Sequence, residues 1–369
     1  MTSIPFIDLK AQYQGNKAVI QERINRVLDH GQYIMGPEVK ELEERLADFT
    51  EVKHCITVAS GTEALLISLM AIGLQPGDEV ITTPFTFVAT AEVIVLLGAK
   101  PVFVDVEPDT CNIDVSKIEA AISAKTKAII PVSLYGQPAD MDEINAIAAK
   151  YGNIPVIEDA AQSFGALYKA RKSNNLSGIG CTSFFPSKPL GCYGDGGAIF
   201  TNDDALAQVC REIRVHGQSK RYVHTRVGVG GRMDTLQCAI VLAKFEQFDN
   251  EIALRQKIGQ RYNSAFDGIG GNRLVRVVQR EDRTSVFAQY TILCTDRART
   301  QAALEADAIP YAIHYPIPLN EQEAYKHLCC IGCTSVATDV ASRVLSLPMS
   351  PWLTESQQDR IISAVLPTL

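Results

Sequence analysis

The feature that most restricts the fold of this chain is an alternation of short apolar runs and helix-like segments between residues 53 and 201. The runs rich in β-branched residues have strand length and lie at 55–58, 80–83, 102–105, 128–132 and 156–159. Segments 63–72 and 89–97 have helical periodicity. Because strands of nearly continuous apolar character are buried on both faces, the alternation predicts an α/β fold, a three-layer sandwich with a mainly parallel central sheet.

The remainder of the chain predicts a second, smaller domain. A chain of 369 residues with 46% hydrophobic content exceeds the size at which single cores stop growing. The expected elements are helices at 204–215 and 234–266, a strand at 286–292, and helices near 297–306 and 355–366. We therefore expect a large domain over residues 1–250 and a small α+β domain over residues 251–369.

Charge and hydropathy restrict the partners. A formal net charge of -7 argues against nucleic acid and acidic membranes, both of which require a basic face, and favours a small-molecule substrate. Residues 1–8 have no signal-peptide pattern, and no stretch approaches the roughly 18 apolar residues of a membrane span. These observations predict a soluble, cytoplasmic protein.

The ten cysteines are scattered through a long chain without an export signal, so free thiols are expected. Cys329, Cys330 and Cys333, with His327 nearby, include the spacing of half a zinc site but lack a second half. We expect no metal there, and a loop of free thiols is the interpretation.

Lys188 lies in an apolar stretch that leads into the glycine-dense segment 191–197. A lysine withdrawn from water tends to lose its proton, and a neutral amine attacks carbonyl groups to form a Schiff base. The alternative is a surface lysine whose ammonium group reaches solvent.

An acidic residue ends one of the predicted strands. Asp159 follows the run 156–158, and a buried acid needs a cationic or hydrogen-bonding partner such as a protonated pyridine nitrogen. Asp159 could instead cap the following helix.

Two further features fit a flat phosphorylated ligand. Gly61 and Thr62 open a helix after a strand, where backbone amides and the helix dipole can hold a phosphate, and Thr182 or Ser183, at the end of another predicted strand, could add a hydroxyl. Residues 60–62 are equally an ordinary helix N-cap. The segment 84–87, which contains Phe85 and Phe87, follows the strand ending at Thr83 and offers an aromatic ring that could stack on a heteroaromatic ligand, although such a side chain is usually part of a core.

Together these features match the needs of pyridoxal 5'-phosphate: a lysine, an acid for the ring nitrogen, a stacked aromatic and a phosphate cup. The chain resembles the sugar aminotransferases of the DegT type, which have the fold of aspartate aminotransferase (the PLP-dependent transferase fold type I) and work as homodimers. The resemblance covers nearly the whole length and rests on Ser-Gly-Thr at 60–62, Thr-Phe at 86–87, Glu-Asp-Ala-Ala-Gln at 158–162, the segment 183–188, Gly-Asp-Gly-Gly at 194–197 and His-Tyr-Pro at 314–316.

The resemblance implies a role for each matching position. Lys188 would bind the cofactor covalently, Asp159 would face the pyridine nitrogen, and Gln162 would be a hydrogen-bonding neighbour of the ring. Phosphate contacts would come from Gly61, Thr62 and Ser183, and Phe87 would stack on the ring. Members of the family also pass an asparagine across the dimer interface to the phosphate, and at that position this chain has Gly230.

The substrate is also implied by the resemblance, which is strongest to members that aminate UDP-2-acetamido-2-deoxy-3-oxo-glucuronic acid, with glutamate as donor, for bacterial surface polysaccharides. Arg232 would meet the uronate carboxylate bidentately, or would form a structural ion pair with Asp234 or another acid. His314 and Tyr315, before a proline-rich loop, would contact the sugar nucleotide, although a histidine packed locally fits the sequence equally well.

Four rivals remain at the level of sequence. A 4-keto sugar nucleotide could replace the 3-keto uronate, and a non-catalytic regulator that binds sugar nucleotides could retain the fold. A dehydratase of the same fold would carry histidine in place of Lys188. A nicotinamide oxidoreductase fits poorly because residues 194–197 do not match GxGxxG.

Overall fold

The computed structural model describes residues 3–269, 271, 273–330 and 332–369. The α-helices of this part are α1 (Leu9–His30), α2 (Pro37–Thr50), α3 (Gly61–Ala71), α4 (Ala89–Leu96), α5 (Ile118–Ala121), α6 (Met141–Lys150), α7 (Asp204–Arg214), α8 (Thr235–Phe245), α9 (Phe248–Phe266), α10 (Arg297–Ala306), α11 (Ser335–Arg343) and α12 (Glu355–Val365). The strands are β1 (His54–Val58), β2 (Glu79–Thr82), β3 (Lys100–Phe103), β4 (Thr126–Ile130), β5 (Ile157–Asp159), β6 (Leu167–Tyr168), β7 (Arg171–Lys172), β8 (Ile179–Ser183), β9 (Gly197–Thr201), β10 (Gln218–Lys220), β11 (Val223–His224), β12 (Tyr290–Leu293) and β13 (Val344–Leu347). Short 3₁₀ helices lie at Val115–Lys117, Leu134–Gly136, Leu319–Glu321 and Leu366–Thr368.

The central sheet has the strand order β1-β9-β8-β5-β4-β2-β3. Its two hydrogen-bonded parts, β1-β9-β8-β5 and β3-β2-β4, are joined by parallel bridges from Ile129 to Val156 and from Val132 to Asp159. Among these seven strands, β9 runs antiparallel to both neighbours and the other pairings are parallel. The prediction of a mainly parallel sheet is therefore confirmed, with strand β9 as an addition.

Helices cover both faces of the sheet because side chains alternate along each strand. In β1, Cys55 packs with α2 and α8 on one face, whereas Ile56 and Val58 pack with α3 and α7 on the other. Neighbouring residues of β9 divide in the same way. This arrangement confirms the three-layer sandwich, and it places the carboxyl ends of the parallel strands at one edge, where loops are free to form a site.

A second core lies around the antiparallel pair β12 and β13. Residues of α9, α10 and α12 pack there, and Ile4 from the amino terminus joins them. The boundary at residues 250 and 251 stays a prediction. No helix within the described ranges has both the length and the apolar character needed to cross a bilayer.

Two predicted elements are wrong in their extent. The segment 234–266 forms two helices, α8 and α9, because the chain turns at Glu246 and Gln247, which lets Phe248 join the aromatic cluster of Phe49 and Phe164. The strand expected at 286–292 begins only at Tyr290. Phe287 has φ of 44°, a left-handed conformation that interrupts extended backbone.

The expectation of free thiols is wrong at one place. Cys330 and Cys333 form a disulfide, with their α-carbons 5.9 Å apart, inside the usual range for such a bond. Cys329 is a free thiol, as are seven further cysteines of the described chain, all of them buried. These cysteines are therefore not a set of three free thiols.

We predict that Phe248→Ala lowers the free energy of unfolding by about 3–5 kcal/mol, because it empties a buried aromatic position. Leu96→Ala is the control, since Leu96 is 67% exposed and its truncation should change stability by less than about 0.5 kcal/mol. Urea denaturation of both variants measures the difference. Equal losses would contradict the packing described for the turn between α8 and α9.

Candidate active site

A cleft of about 450 Å³ opens at the carboxyl edge of the central sheet, next to the segment that carries His314. Nine of the ten site residues predicted from the sequence line it: Gly61, Thr62, Phe87, Asp159, Gln162, Ser183, Lys188, His314 and Tyr315. The tenth, Arg232, lies outside the lining of this cleft. The sheet therefore brings together side chains that are up to 254 positions apart in sequence, from Gly61 to Tyr315.

The carboxylate of Asp159 lies at the end of β5 and is 6% exposed. Its Oδ2 accepts a hydrogen bond of 2.8 Å from Thr90 Oγ1, and its Oδ1 accepts one of 3.2 Å from the Ala161 amide. Burial raises the pKa of Asp159, while these hydrogen bonds and the charge of Lys188 oppose the rise. A positive charge in the cleft would therefore stabilise the ionised form.

Glu158, the preceding residue, has a different environment because alternate side chains of a strand point to opposite faces. Its carboxylate is fully buried and accepts hydrogen bonds from Ser133 Oγ at 3.0 Å, Ser173 Oγ at 2.7 Å and the Asn174 amide at 2.7 Å. Glu158 does not line the cleft. Of the two adjacent acids, Asp159 alone is available to a ligand.

Lys188 enters the cleft from a tight loop after β8, where its amide donates to the Phe185 carbonyl at 2.8 Å. Desolvation lowers the pKa of Lys188, and the negative charge of Asp159 opposes that effect. At neutral pH, more of this amine is uncharged than in a solvated lysine. The alternative of a surface lysine that reaches solvent does not fit this position.

The amino terminus of α3 forms one wall. Ser60 caps the helix, since its Oγ accepts the Glu63 amide at 3.0 Å, so the ordinary N-cap interpretation holds for Ser60. Gly61 lies against Ser183, and a Cβ on Gly61 would be 2.7 Å from Ser183 Cβ. Glycine is therefore required for the helix terminus and the Ser183 hydroxyl to share one wall with Thr62, an arrangement suited to an anion.

A hydrogen-bonded network fixes the opposite wall. Gln162 Oε1 accepts the Tyr135 amide at 2.8 Å, and Gln162 Nε2 donates to Tyr315 Oη at 3.2 Å. Tyr135 Oη donates to the His314 carbonyl, and His314 Nδ1 is 3.0 Å from Ser346 Oγ. The network sets the positions of Gln162, His314 and Tyr315 together.

Phe87 is 54% exposed and lines the cleft rather than a core. Its ring centroid lies 6.3 Å from that of Tyr315. Sequence reasoning missed Gln289, whose Oε1 is buried without a hydrogen-bond partner in the described chain, and Thr90, the partner of Asp159. No local sequence pattern marks either residue, because both roles arise from contacts between residues distant in sequence.

Arg232 and Gly230 lie on a separate segment. Asp234, the proposed ion-pair partner of Arg232, instead caps α8 by accepting the Gln237 amide at 2.8 Å. The described part of the chain contains no ion pair of Arg232. Gly230 is exposed and pairs with Val215 through its backbone. A substrate role for Arg232 stays a prediction, and so does the loss of the phosphate contact at Gly230.

The residues present fit pyridoxal phosphate. The amino terminus of α3 and Ser183 match the phosphate, Phe87 offers an aromatic face, and the buried carboxylate of Asp159 matches a protonated ring nitrogen. Lys188 supplies an amine of lowered pKa in the same cleft. The fold and this cleft define a pyridoxal-phosphate-type transferase.

The chain belongs to the DegT/DnrJ/EryC1/StrS aminotransferase family, whose model matches residues 15–366. It is 58% identical to the UDP-2-acetamido-2-deoxy-3-oxo-D-glucuronate aminotransferase of Pseudomonas aeruginosa over 98% of this chain and 99% of that protein. It is 41% identical to a UDP-N-acetyl-3-dehydro-alpha-D-glucosamine 3-aminotransferase of Acidithiobacillus ferrooxidans, over 100% of this chain and 98% of that protein. A Bacillus subtilis structure with bound cofactor PMP superposes with a TM-score of 0.92 at 31% identity, covering 100% of this chain and 85% of that chain. The protein is an enzyme of the aminotransferase class.

We predict a pH effect from His314, whose pKa burial lowers from 6.5 to about 4, with a smaller contribution from the charge of Lys188. The unfolded chain binds a proton at this histidine below about pH 6.5 whereas the folded chain does not, so His314 reduces stability as the pH falls from about 6.5 to about 4. In His314→Gln the decline of the unfolding free energy over this interval should be shallower. Parallel declines in both proteins would contradict the burial of a neutral imidazole.

Proposed function

We propose that this enzyme transfers the amino group of glutamate to the 3-keto carbon of UDP-2-acetamido-2-deoxy-3-oxo-glucuronate, with pyridoxal phosphate as cofactor, in the biosynthesis of surface polysaccharides such as lipopolysaccharide O-antigen. The observation that carries the proposal is 58% identity to an enzyme named for that substrate, over 98% of this chain, and it is supported by a cleft lined by the seven residues expected to contact the cofactor from within one chain. The cytoplasmic location stays a prediction.

When bound, pyridoxal phosphate supplies a conjugated ring that accepts the electron pair left when a proton leaves the donor carbon. Lys188 would hold the cofactor and then, as a free amine, would remove that proton and return it to another carbon of the same conjugated system. Asp159 would keep the ring nitrogen protonated, since burial leaves its carboxylate in need of a cation. His314, kept neutral by burial, presents a ring nitrogen to substrate without adding positive charge.

We propose that the enzyme is a homodimer with its active site at the subunit interface. Tyr33, Ile34 and Met35 are exposed, and the backbone of this segment bonds to that of residues 234 and 235. Val227, in the segment that contains Arg232, is 83% exposed. A second copy would cover this apolar surface and would bring Arg232 toward the partner's cleft.

Two alternatives are separated by their chemistry. An enzyme for a 4-keto sugar nucleotide would share the cofactor contacts but would not need a carboxylate partner such as Arg232. A non-catalytic regulator would bind the sugar nucleotide without turnover. The desolvated amine of Lys188 beside Asp159 favours an enzyme over such a regulator.

The proposal predicts a ranking of substrates. The cofactor-loaded enzyme should lose its visible absorbance with glutamate and recover it fastest with the 3-keto uronate, more slowly with UDP-N-acetyl-3-dehydro-glucosamine, and least with a 4-keto sugar nucleotide.

Lys188→Ala should reduce turnover by at least about 10⁴-fold, because both proton transfers are lost. The variant should retain the fold, as measured by circular dichroism. Binding of UDP sugar by a colourless protein without turnover would favour the regulator, and preference for the 4-keto sugar would refute the substrate.

Arg232→Ala should lower kcat/KM for the uronate by roughly 10- to 100-fold, the expected effect of losing charge-assisted hydrogen bonds to a carboxylate. Use of the neutral 3-keto sugar should change less than about threefold. Arg221→Ala, which removes an exposed cation between β10 and β11, serves as control. Equal losses on both sugars would remove the carboxylate role of Arg232.

A further inference from the structure

A buried cluster of polar and charged side chains lies behind the loop that carries Lys188. Gln12, Lys244, Glu251 and Arg255 come from α1, α8 and α9, and each is at most 4% exposed. They do not line the cleft. Because lysine and arginine are rarely buried without strong partners, the contacts of this cluster indicate what it holds in place.

Lys244 is directed at the Lys188 loop. Its ammonium donates a hydrogen bond to the Gly191 carbonyl and lies 5.0 Å from the ring centroid of Tyr193. Burial lowers the pKa of Lys244 to about 8, while the charge of Glu251 opposes the change. Glu251 accepts a hydrogen bond from Gln12 at 2.9 Å and acts on Lys244 through its charge.

The loop on which Lys188 sits is closed at its base. The Cys192 amide donates to the Phe184 carbonyl at 2.7 Å, and the Lys188 amide donates to the Phe185 carbonyl at 2.8 Å. A Cβ on Gly191 would lie 2.6 Å from the Phe185 oxygen, so this position accepts only glycine without a shift of the loop. The peptide that Lys244 holds is therefore the one that closes the loop.

The same cluster holds a second segment of the cleft. Arg255 donates to the Phe287 carbonyl at 3.2 Å, at the residue with the left-handed backbone. Gln289, two residues later, lines the cleft. The buried charges thus support two backbone segments that bear cleft side chains.

We propose that Lys244 is a positioning residue for the aminotransferase reaction: by binding the Gly191 carbonyl it fixes the loop that directs the Lys188 amine into the cleft. The inference rests on the proposed role of Lys188. An apolar side chain in place of Lys244 would fill the space without the cost of burying a charge, but it would leave the Gly191 carbonyl unpaired. The presence of an ammonium there favours positioning over stability as its role.

The first test uses the protein without cofactor, by hydrogen exchange of the peptide covering residues 184–193. Lys244→Met should speed exchange there by roughly tenfold, the effect of losing a hydrogen bond to a charged donor. Lys257→Met makes the same substitution at a lysine whose side chain is 73% exposed and should have no effect. Unchanged exchange at 184–193 in Lys244→Met would overturn the inference.

The second test uses the loaded enzyme. Lys244→Met should lower kcat by about 100-fold, because a misplaced catalytic group costs about that factor, with less than about threefold change in KM for the sugar nucleotide. Lys244→Gln keeps an N–H donor, so its kcat should lie between those of the wild type and of Lys244→Met. This variant also allows the test to be made if Lys244→Met does not fold. Ile361→Ala, in the separate core of the second domain, controls for lost stability.

The outcomes separate the two claims. If the wild-type protein does not bind cofactor at Lys188, the proposed function fails whatever the variants show. If the wild-type protein does, but Lys244→Met and Ile361→Ala lower kcat equally, or Lys244→Gln is no better than Lys244→Met, the positioning role is refuted and the proposed function stands.

Discussion

The structure of the site depends on the burial of one carboxylate. Asp159 ends β5 at the floor of the cleft, where desolvation raises its pKa and the hydrogen bonds from Thr90 and the Ala161 amide only partly offset that cost. A carboxylate in this position is stabilised by a cation held opposite it. A protonated ring nitrogen would satisfy this requirement, and the same cleft is lined by the terminus of α3 and by Lys188, which would hold the phosphate and the aldehyde carbon of such a cofactor.

Lys188, which is half-buried, and Lys244, which is fully buried, show how the surroundings of an amine decide its use. Desolvation lowers the pKa of both Lys188 and Lys244. The amine of Lys188 lines the open cleft beside Asp159, whereas that of Lys244 donates to a loop carbonyl behind it. The amine of Lys188 is therefore free to react with a carbonyl compound, whereas the amine of Lys244 is occupied by its hydrogen bond to the backbone. A lowered pKa alone therefore does not identify a reactive lysine, and the geometry does.

Sequence patterns predicted those features that depend on local periodicity. Apolar runs such as 55–58 marked the strands of the parallel sheet, and the residues at their carboxyl ends, Asp159 among them, were correctly placed at one edge. The turn at Glu246 and Gln247 could not be predicted in this way because it follows from the packing of Phe248 against residues distant in sequence.

Three other features could not be predicted from local sequence patterns, because they also depend on contacts between residues distant in sequence. Phe287 leaves extended backbone where its amide and carbonyl bond to Ser285 and Arg255, and Thr90 gains its role only when α4 packs beside β5. Lys244 looks like one cation in an amphipathic stretch, and its burial against the Gly191 carbonyl is set by tertiary contacts. Roles that depend on long-range contacts are not visible in periodicity.

The most direct measurement is chemical reduction of the cofactor-loaded enzyme with borohydride, followed by mass spectrometry of its peptides. The account predicts one pyridoxyl group per chain, on Lys188, with Lys244 unmodified. A label on Lys244 or another lysine, or no covalent label on a protein that still turns over, would contradict it.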